Sequence, residues 1–469
     1  MNLVFVGLVG AIIVIYISSR NWQRAVKAAL VIVVIEGALR KWAFPQASQL
    51  IYFLKDFVLI GAYLSYFSLP KSRRRVVKDS GIIKVLLFLV IVWCLFQAFN
   101  PRLGSPIIGL IGLKNYLLYI PLLWVVPSLF QSEEELYKFL RSYLLLLIPV
   151  GLLAIAQFFS PPTSPLNVYA SDDLGIARFG GNVRVTGTFS YITGYTTFLT
   201  TCTCFLLPML TRKQPLVWQL LTITELLFVA VTSTMTGSRG IMIIFALLLV
   251  GYFGLQGVTE FSNFLRSIRK LLVPGVIAIS LTIYKFSSTI DELWARGGNS
   301  EDILPRIAGS FIQPLKIVNQ IGLDGYGTGS TFQANGTIRG LLSLPPGENI
   351  PFYYEGELIK IAIDLGAIGF FLWYTFKLIL VFYLWTTYRQ LKRPFLRQLA
   401  LCAFLISVIL FTGQLVYNHT AGLYHWFFNS FIFLLPQLEQ IENWQEYQQL
   451  QQLWQFYEQS PDISSSPDQ

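Results

Sequence analysis

Apolar runs of membrane-spanning length recur along this chain, and that recurrence restricts its fold more than any motif does. They fall near residues 3–17, 25–39, 50–68, 82–99, 106–129, 140–159, 189–209, 216–233, 240–257, 271–288, 358–384, 398–417 and 422–437. By the criterion of roughly twenty residues per spanning helix, this makes about thirteen candidate spans. The first two are short, which suits tilted or re-entrant segments. With 54% of residues hydrophobic, 13% charged and a mean hydropathy of +0.57, the chain lies far from the roughly one-quarter charged composition of soluble domains. The expected fold is an all-α polytopic integral membrane protein with about 12–13 transmembrane helices. Water-soluble function classes are excluded. The opening MNLVFVGLVGAIIVIYI has no basic leader and no small-residue cleavage site, so it reads as a retained first helix. The four cysteines, Cys94, Cys202, Cys204 and Cys402, all lie in apolar runs and read as small buried hydrophobes.

The net charge of +10 becomes informative once it is placed by loop. Basic clusters at Arg20/Arg24/Lys27, Lys71/Arg73/Arg74/Arg75/Lys78, Arg212/Lys213, Arg266/Arg269/Lys270 and Arg389/Lys392/Arg393/Arg397 occupy alternate loops. The bias of Lys and Arg towards the cytoplasm puts all of these inside. The loops near 40–49, 100–105, 160–188, 234–239, 289–357 and 418–421 are thereby expected outside, which in a Gram-negative cell is the periplasm. The organisation follows: N-terminal transmembrane helices over 1–288, a large extracytoplasmic loop over 289–357, C-terminal transmembrane helices over 358–437, and a cytoplasmic tail over 438–469. The start of that tail, rich in Gln, Glu and Trp, predicts an amphipathic helix, and the closing SPDISSSPDQ has a disordered composition.

The loop over 289–357 is the longest polar interval, and its glycines and aromatic residues predict that it is folded. It holds Arg296, Arg306 and Arg339, the run Gly325-Tyr326-Gly327-Thr328-Gly329, and Tyr353-Tyr354-Glu355-Gly356-Glu357 at its exit. The glycine run lacks the Lys-Ser/Thr and the strand-turn-helix context of a phosphate-binding loop. No nucleotide-binding or redox motif occurs, and neither a metal, a cofactor nor a nucleic-acid partner is expected.

Arginines on the side where basic residues are normally depleted are the first chemical signal. Arg178, Arg184 and Arg239 join the three in the loop. Arg239 sits in a five-residue connection, Thr236-Gly237-Ser238-Arg239-Gly240, close to the hydrocarbon boundary, where a charge normally has a partner. Guanidinium groups match phosphate oxygens in a bidentate manner, so a convergence of them suits a pyrophosphate at headgroup level; each could instead snorkel to lipid headgroups. Carboxylates are the second signal. Glu357 at the start of an apolar helix complements the helix dipole, whereas Glu355, behind two tyrosines and before Gly356, could act as a general base for a sugar hydroxyl. His419 and His425 read as interfacial packing or hydrogen-bonding residues. Glu36, Asp56, Lys114 and Glu225 are costly at membrane depth and should face the bundle interior. Arg40-Lys41 is expected to pair with Glu36 and Asp56, as a structural charge cluster or as a second substrate contact.

Ser238-Arg239-Gly240 opening an apolar helix, the long outer loop after it, and the exit Glu355-Gly356-Glu357-Leu358 leading to Asp364-Leu365-Gly366-Ala367-Ile368-Gly369 resemble the O-antigen ligase and Wzy-type polysaccharide polymerase superfamily. Arg184-Val185-Thr186-Gly187-Thr188-Phe189 resembles it as well. The resemblance implies a GT-C-like, metal-independent glycosyltransferase of the inner membrane that acts on undecaprenyl-pyrophosphate-linked oligosaccharides from a periplasmic loop, in exopolysaccharide or O-antigen biosynthesis. It implies that Arg184 and Arg239 hold the pyrophosphate, with Arg306 as a third contact. Glu355 stands where ligases of the family carry His-Asn, a departure that favours a polymerase-type member, and Asp364 stands where the family has glutamate. On this reading Glu355 and Arg239 are catalytic, and Arg184, Arg306, Glu357 and Tyr354 bind substrate. Tyr353, Tyr354, Trp294 and Phe332 are candidate sugar-stacking surfaces. Implied partners are the lipid-linked donor, a glycan acceptor, membrane lipid, a chain-length regulator and a flippase. Two other classes remain open at this stage: a transporter or flippase of the same lipid-linked glycans, and a non-catalytic scaffold of an envelope complex.

Overall fold

Helices satisfy their own backbone, and the apolar runs form them almost without exception. The computed structural model describes residues 3–70, 81–170, 175–179, 182–259 and 303–459, with isolated positions between 265 and 280. In chain order the helices are α1 (Leu3–Ser19), α2 (Trp22–Ala38), α3 (Ser48–Tyr52), α4 (Leu54–Ser68), α5 (Gly81–Ala98), α6 (Pro106–Leu117), α7 (Leu122–Val125), α8 (Glu133–Leu144), α9 (Leu147–Phe159), α10 (Ile192–Met209), α11 (Leu216–Met235), α12 (Arg239–Thr259), α13 (Ile303–Ile321), α14 (Asn335–Leu342), α15 (Glu357–Gln390), α16 (Pro394–Ile409), α17 (His419–Asn429) and α18 (Phe431–Gln459). A two-residue ladder, β1 (Arg178–Phe179) against β2 (Asn182–Val183), is the one departure from helix among the described residues.

Among the described residues, seven helical stretches are long and apolar enough to cross a membrane: Pro45–Ser68, Gly81–Ala98, Pro106–Ser128, Glu133–Phe159, Leu216–Met235, Arg239–Val258 and Glu357–Gln390. Gly7–Ser19 and Pro394–Ile409 are shorter apolar helices. The chain is therefore an all-α membrane protein. Of the other expected spans, 25–39 and 189–209 are the helices α2 and α10, 422–437 is divided between α17 and α18, and 271–288 lies outside the described residues. So do the basic cluster at 71–78, Arg296, Trp294 and the last ten residues. The amphipathic tail is helical and continues α18 without a break, with Trp444, Tyr447, Leu450 and Trp454 exposed.

Loops assigned to opposite sides by their charge do gather at opposite ends of the bundle. At one end Arg212 pairs with Glu133 and Glu134, and Arg393 with Glu133 and Glu446. At the other, Arg40 donates to Ser48 and Ser190, Trp42 to the Pro165 carbonyl, Arg184 to the Thr236 carbonyl and Asn100 to the Gly325 carbonyl. The core between them is built from α15 packed on α5, α13 and α16, from α10 on α11 and α16, and from α1 and α2 on α4.

One helix is not what its apolar run suggests. Within α15, Gly366 has φ 68° and ψ −172°, a conformation open to glycine and strained for other residues. A straight helix would hold Glu357 and Lys377 about 30 Å apart. Instead both reach one segment: Glu357 accepts from the Leu415 amide and, at 2.9 Å, the Val416 amide, while Lys377 Nζ donates to the Phe411 carbonyl at 2.5 Å. The first turns of α15 fold back beside the rest of the helix.

Candidate functional site

The break at Gly366 frees backbone groups that a buried site must satisfy. The glycine run supplies the partners. Tyr326 N donates to the Ile363 carbonyl (2.7 Å) and Gly327 N to that of Asp364 (3.0 Å), while Ala367 N reaches the Gly322 carbonyl (3.1 Å) and Trp93 Nε1 the Leu365 carbonyl (2.9 Å). Residues 322–331 thus form a strap across the broken helix. Gly325 and Gly366 meet backbone to backbone, which a Cβ on either would prevent.

Asp364 locks that strap. Its fully buried carboxylate accepts from Ser330 Oγ (2.7 Å), Thr331 N and Thr331 Oγ1 (both 3.0 Å), Gly329 N (3.3 Å), Tyr116 Oη (3.0 Å) and Tyr417 Oη. With every lone pair engaged, Asp364 organises the site and is not placed to take a proton from substrate. Thr328 completes the lock through its amide to the Gln97 carbonyl and its hydroxyl to that of Gly109.

Beside the strap lies a cluster of buried charge. Lys55 Nζ sits 2.6 Å from Glu36 Oε2, and Arg40 3.8 Å from Glu36 Oε1. Lys114 Nζ lies 2.5 Å from Asp56 Oδ2, whose other oxygen accepts from Tyr119 Oη at 2.6 Å. The expected pairing of Arg40 with Glu36 is present; Asp56 takes Lys114 instead. His419 Nε2 lies 2.9 Å from Asn115 Oδ1, and Lys114 Nζ lies 3.1 Å from Nδ1 and 3.3 Å from Nε2 of the same ring. His419 therefore orients Lys114. A column of near-parallel rings links the cluster to the strap: Tyr52 on His419 (4.8 Å), His419 on Phe332 (6.4 Å) and Phe332 on Tyr417 (5.6 Å). Arg40 caps it, 4.9 Å from the centre of the Tyr52 ring.

Arg40 and Lys41 lie on a π-helical turn, Leu39–Ala43, a local widening common at functional sites. Lys41 donates to Thr186 Oγ1 (3.0 Å) and to the Gly187 carbonyl (2.7 Å), and Gln157 Oε1 accepts from the Thr186 and Gly187 amides. The Arg184–Phe189 motif is thus held from both sides, and Arg184 Nε reaches on to the Thr236 carbonyl at 2.8 Å, in the turn that carries Arg239. Burial, with no charged neighbour offsetting it among the described residues, pushes the Lys41 ammonium down to about 7. Three cations (Arg40, Lys55, Lys114) and the titratable Lys41 stand against two carboxylates (Glu36, Asp56) here, beside the segment that carries Arg184, while Arg239 is exposed.

The other expected residues fall elsewhere. Glu355 is exposed, with Tyr353 Oη donating to it at 3.0 Å, and Gln414 holds its carbonyl. Glu357 is buried on the Leu415 and Val416 amides, so its contacts are those of a clamp rather than of a substrate ligand. Tyr354 packs on a small cluster of Ile321, Tyr326, Ile359 and Ile363. Arg339 caps the Leu103 and Pro345 carbonyls. The side chain of Arg306 lies outside the described residues. Sequence reasoning missed Gln157, Asn115 and the ring column, whose residues are far apart in the chain. Among the described residues, no three of His, Cys, Asp and Glu stand together in a way that could hold a metal ion. No protein-family model matches the chain, and no curated protein matches it.

Proposed function

We propose that the chain is a membrane glycosyltransferase, most akin to a polysaccharide polymerase, that acts on lipid-diphosphate-linked oligosaccharides at the outer face of the inner membrane. The observation that supports this reading best is the surplus of buried and half-buried basic side chains (Arg40, Lys41, Lys55, Lys114) over carboxylates (Glu36, Asp56) beside the Arg184–Phe189 motif. An excess of buried positive charge is expensive unless an anion completes it, and a diphosphate leaving group is such an anion. In the reaction, the acceptor hydroxyl oxygen bonds to the anomeric carbon, the bond from that carbon to the diphosphate breaks, and the hydroxyl proton passes to a carboxylate base, the role proposed for Glu355, which is exposed and apart from the cationic cluster. Arg184 and Arg239, with Arg40 and Lys41 behind them, offset the charge that grows on the departing lipid diphosphate. Each such donor contributes about 3–4 kcal/mol where it meets charge present only in the transition state.

The test uses purified protein in lipid with an undecaprenyl-diphosphate-linked oligosaccharide, following glycan length and released lipid diphosphate. Lengthened glycan and lipid release, lost in Arg239→Ala, are expected. Release of lipid with attachment to a different acceptor would make the protein a ligase. Folded protein that releases no lipid diphosphate from its cognate substrate overturns the reading. Transport is then the class to pursue, because a broken membrane helix also suits a transporter.

A further inference from the structure

We infer that Lys41 is a phosphate ligand that is charged by the act of binding, so that the diphosphate enters this site together with a proton. The inference rests on the proposed function, and it names a contact that the arginine motifs do not.

The argument begins with what surrounds the amine. Lys41 is 5% exposed, its Nζ donates to Thr186 Oγ1 and Gly187 O, and the Trp42 ring centre lies 4.4 Å away. An amine has two hydrogens when neutral and three when charged; both present contacts are acceptors, so the neutral amine already satisfies them. Among the described residues the third hydrogen of the ammonium form has no oxygen or nitrogen acceptor; its further neighbour is the Trp42 ring. The elements packed around Lys41 bring Gln157, which is uncharged, and the 184–190 segment, whose charged member Arg184 is cationic and turned to Thr236. The neighbouring Arg40 is a second cation and is engaged by Glu36, Ser48 and Ser190. Glu36, the nearest carboxylate in sequence, is taken up by Lys55 and Arg40.

The contrast with the neighbouring lysines is informative. Lys55 is as enclosed and Lys114 is half-buried, yet each rests against a carboxylate within 2.6 Å. Lys41 alone of the three has none, and burial accordingly holds it near neutrality at about 7. A phosphate oxygen brought beside it would supply the missing counter-charge and the missing acceptor together, drawing a proton from solvent. Affinity must therefore fall as pH rises through 7, because the free site then has to take up a proton in order to bind.

The experiment measures binding by calorimetry on the full-length protein in nanodiscs, with inorganic pyrophosphate and geranyl diphosphate as probes at pH 6.5 and 8.5. The probes titrate too, so the comparison is with Lys41→Arg, which stays charged throughout. Wild type is expected to lose about twentyfold more affinity than Lys41→Arg across that interval. At pH 8, in buffers of different ionisation heat, it should take up about 0.9 proton more per diphosphate than the arginine variant. Should Lys41→Arg fail to fold, Lys41→Met serves instead: it should bind weakly at both pH values and show none of the excess slope. Equal slopes in wild type and a folded variant overturn the inference and leave the diphosphate reading standing. No binding of either probe by folded wild type overturns both. Tighter binding of geranyl diphosphate assigns the site to a lipid-borne diphosphate, whereas tighter binding of pyrophosphate would overturn that part.

Discussion

Replacing Asp364 by Asn is the most direct test of how the strap is held. The substitution keeps shape and volume but turns one acceptor oxygen into an NH2 group. Oδ1 accepts from Ser330 Oγ, Thr331 N and Thr331 Oγ1, and Oδ2 from Gly329 N, Tyr116 Oη and Tyr417 Oη. Whichever way the amide turns, its NH2 therefore faces donors. The hydroxyls can rotate away, but a backbone amide, either Gly329 or Thr331, cannot. One orphaned buried amide costs about 1–3 kcal/mol, and each bond that loses its charged acceptor weakens by a further ~1 kcal/mol. The expected loss is about 4 kcal/mol, a large part of a typical folding free energy. It should be read by denaturant unfolding in detergent, with limited proteolysis of residues 322–331 as a local probe. A loss below about 1 kcal/mol, with the strap still protected, would refute the idea that this carboxylate locks the strap across the broken helix.

Gly366→Ala should destabilise by at least about 2 kcal/mol, since alanine is strained at positive φ and its Cβ meets the strap backbone; thermal unfolding checks this. Glu357→Gln should lower the melting temperature because Glu357 holds two buried amides, whereas Glu355→Gln should leave stability within about 0.5 kcal/mol and abolish glycan transfer. Removing one partner of the buried pair Arg141–Glu225, 2.6 Å apart, should cost about 3–5 kcal/mol, while replacing both with Met and Leu should be close to neutral in the same unfolding assay. Stability of the wild type should also depend on pH through Lys41. Its folded value of about 7 lies below the unfolded value, so the unfolded chain binds more protons between the two. Stability should rise from pH 7 towards 10, by up to about 1.4 kcal/mol per unit, and Lys41→Met should remove that rise.

Much of this was legible in the sequence, and what was not has a physical reason. The membrane class follows from apolar runs because lipid leaves the backbone few options. The meeting of loops at two ends follows from charge, since alternate loops must share a side. The neighbourhood of Arg184 and Arg239 was anticipated from motifs alone, and the Arg40–Glu36 pair from the cost of buried charge. The break in α15 was hidden because Gly366 is one residue in a run that is apolar on both sides, and glycine occurs freely in membrane helices. The role of Asp364 was hidden too: its donors come from residues 116, 329–331 and 417, and no local pattern announces a partner hundreds of residues away. Glu355 and Glu357 look alike as letters, but a two-residue offset at a helix start leaves one in water and buries the other.

The strap also governs the order in which the molecule can be completed. It joins Gln97 and Gly109, made early, to Asp364 and Tyr417, made near the end. The early helices can enter the membrane as they emerge from the ribosome, but the carbonyls of Gln97 and Gly109 gain their strap partner only after some two hundred more residues have been added. Contacts of such long range form slowly. Nascent protein should therefore pass through an inserted state whose strap end is still unlatched. That interval is when quality-control proteases or assembly factors on that side of the membrane would meet the chain.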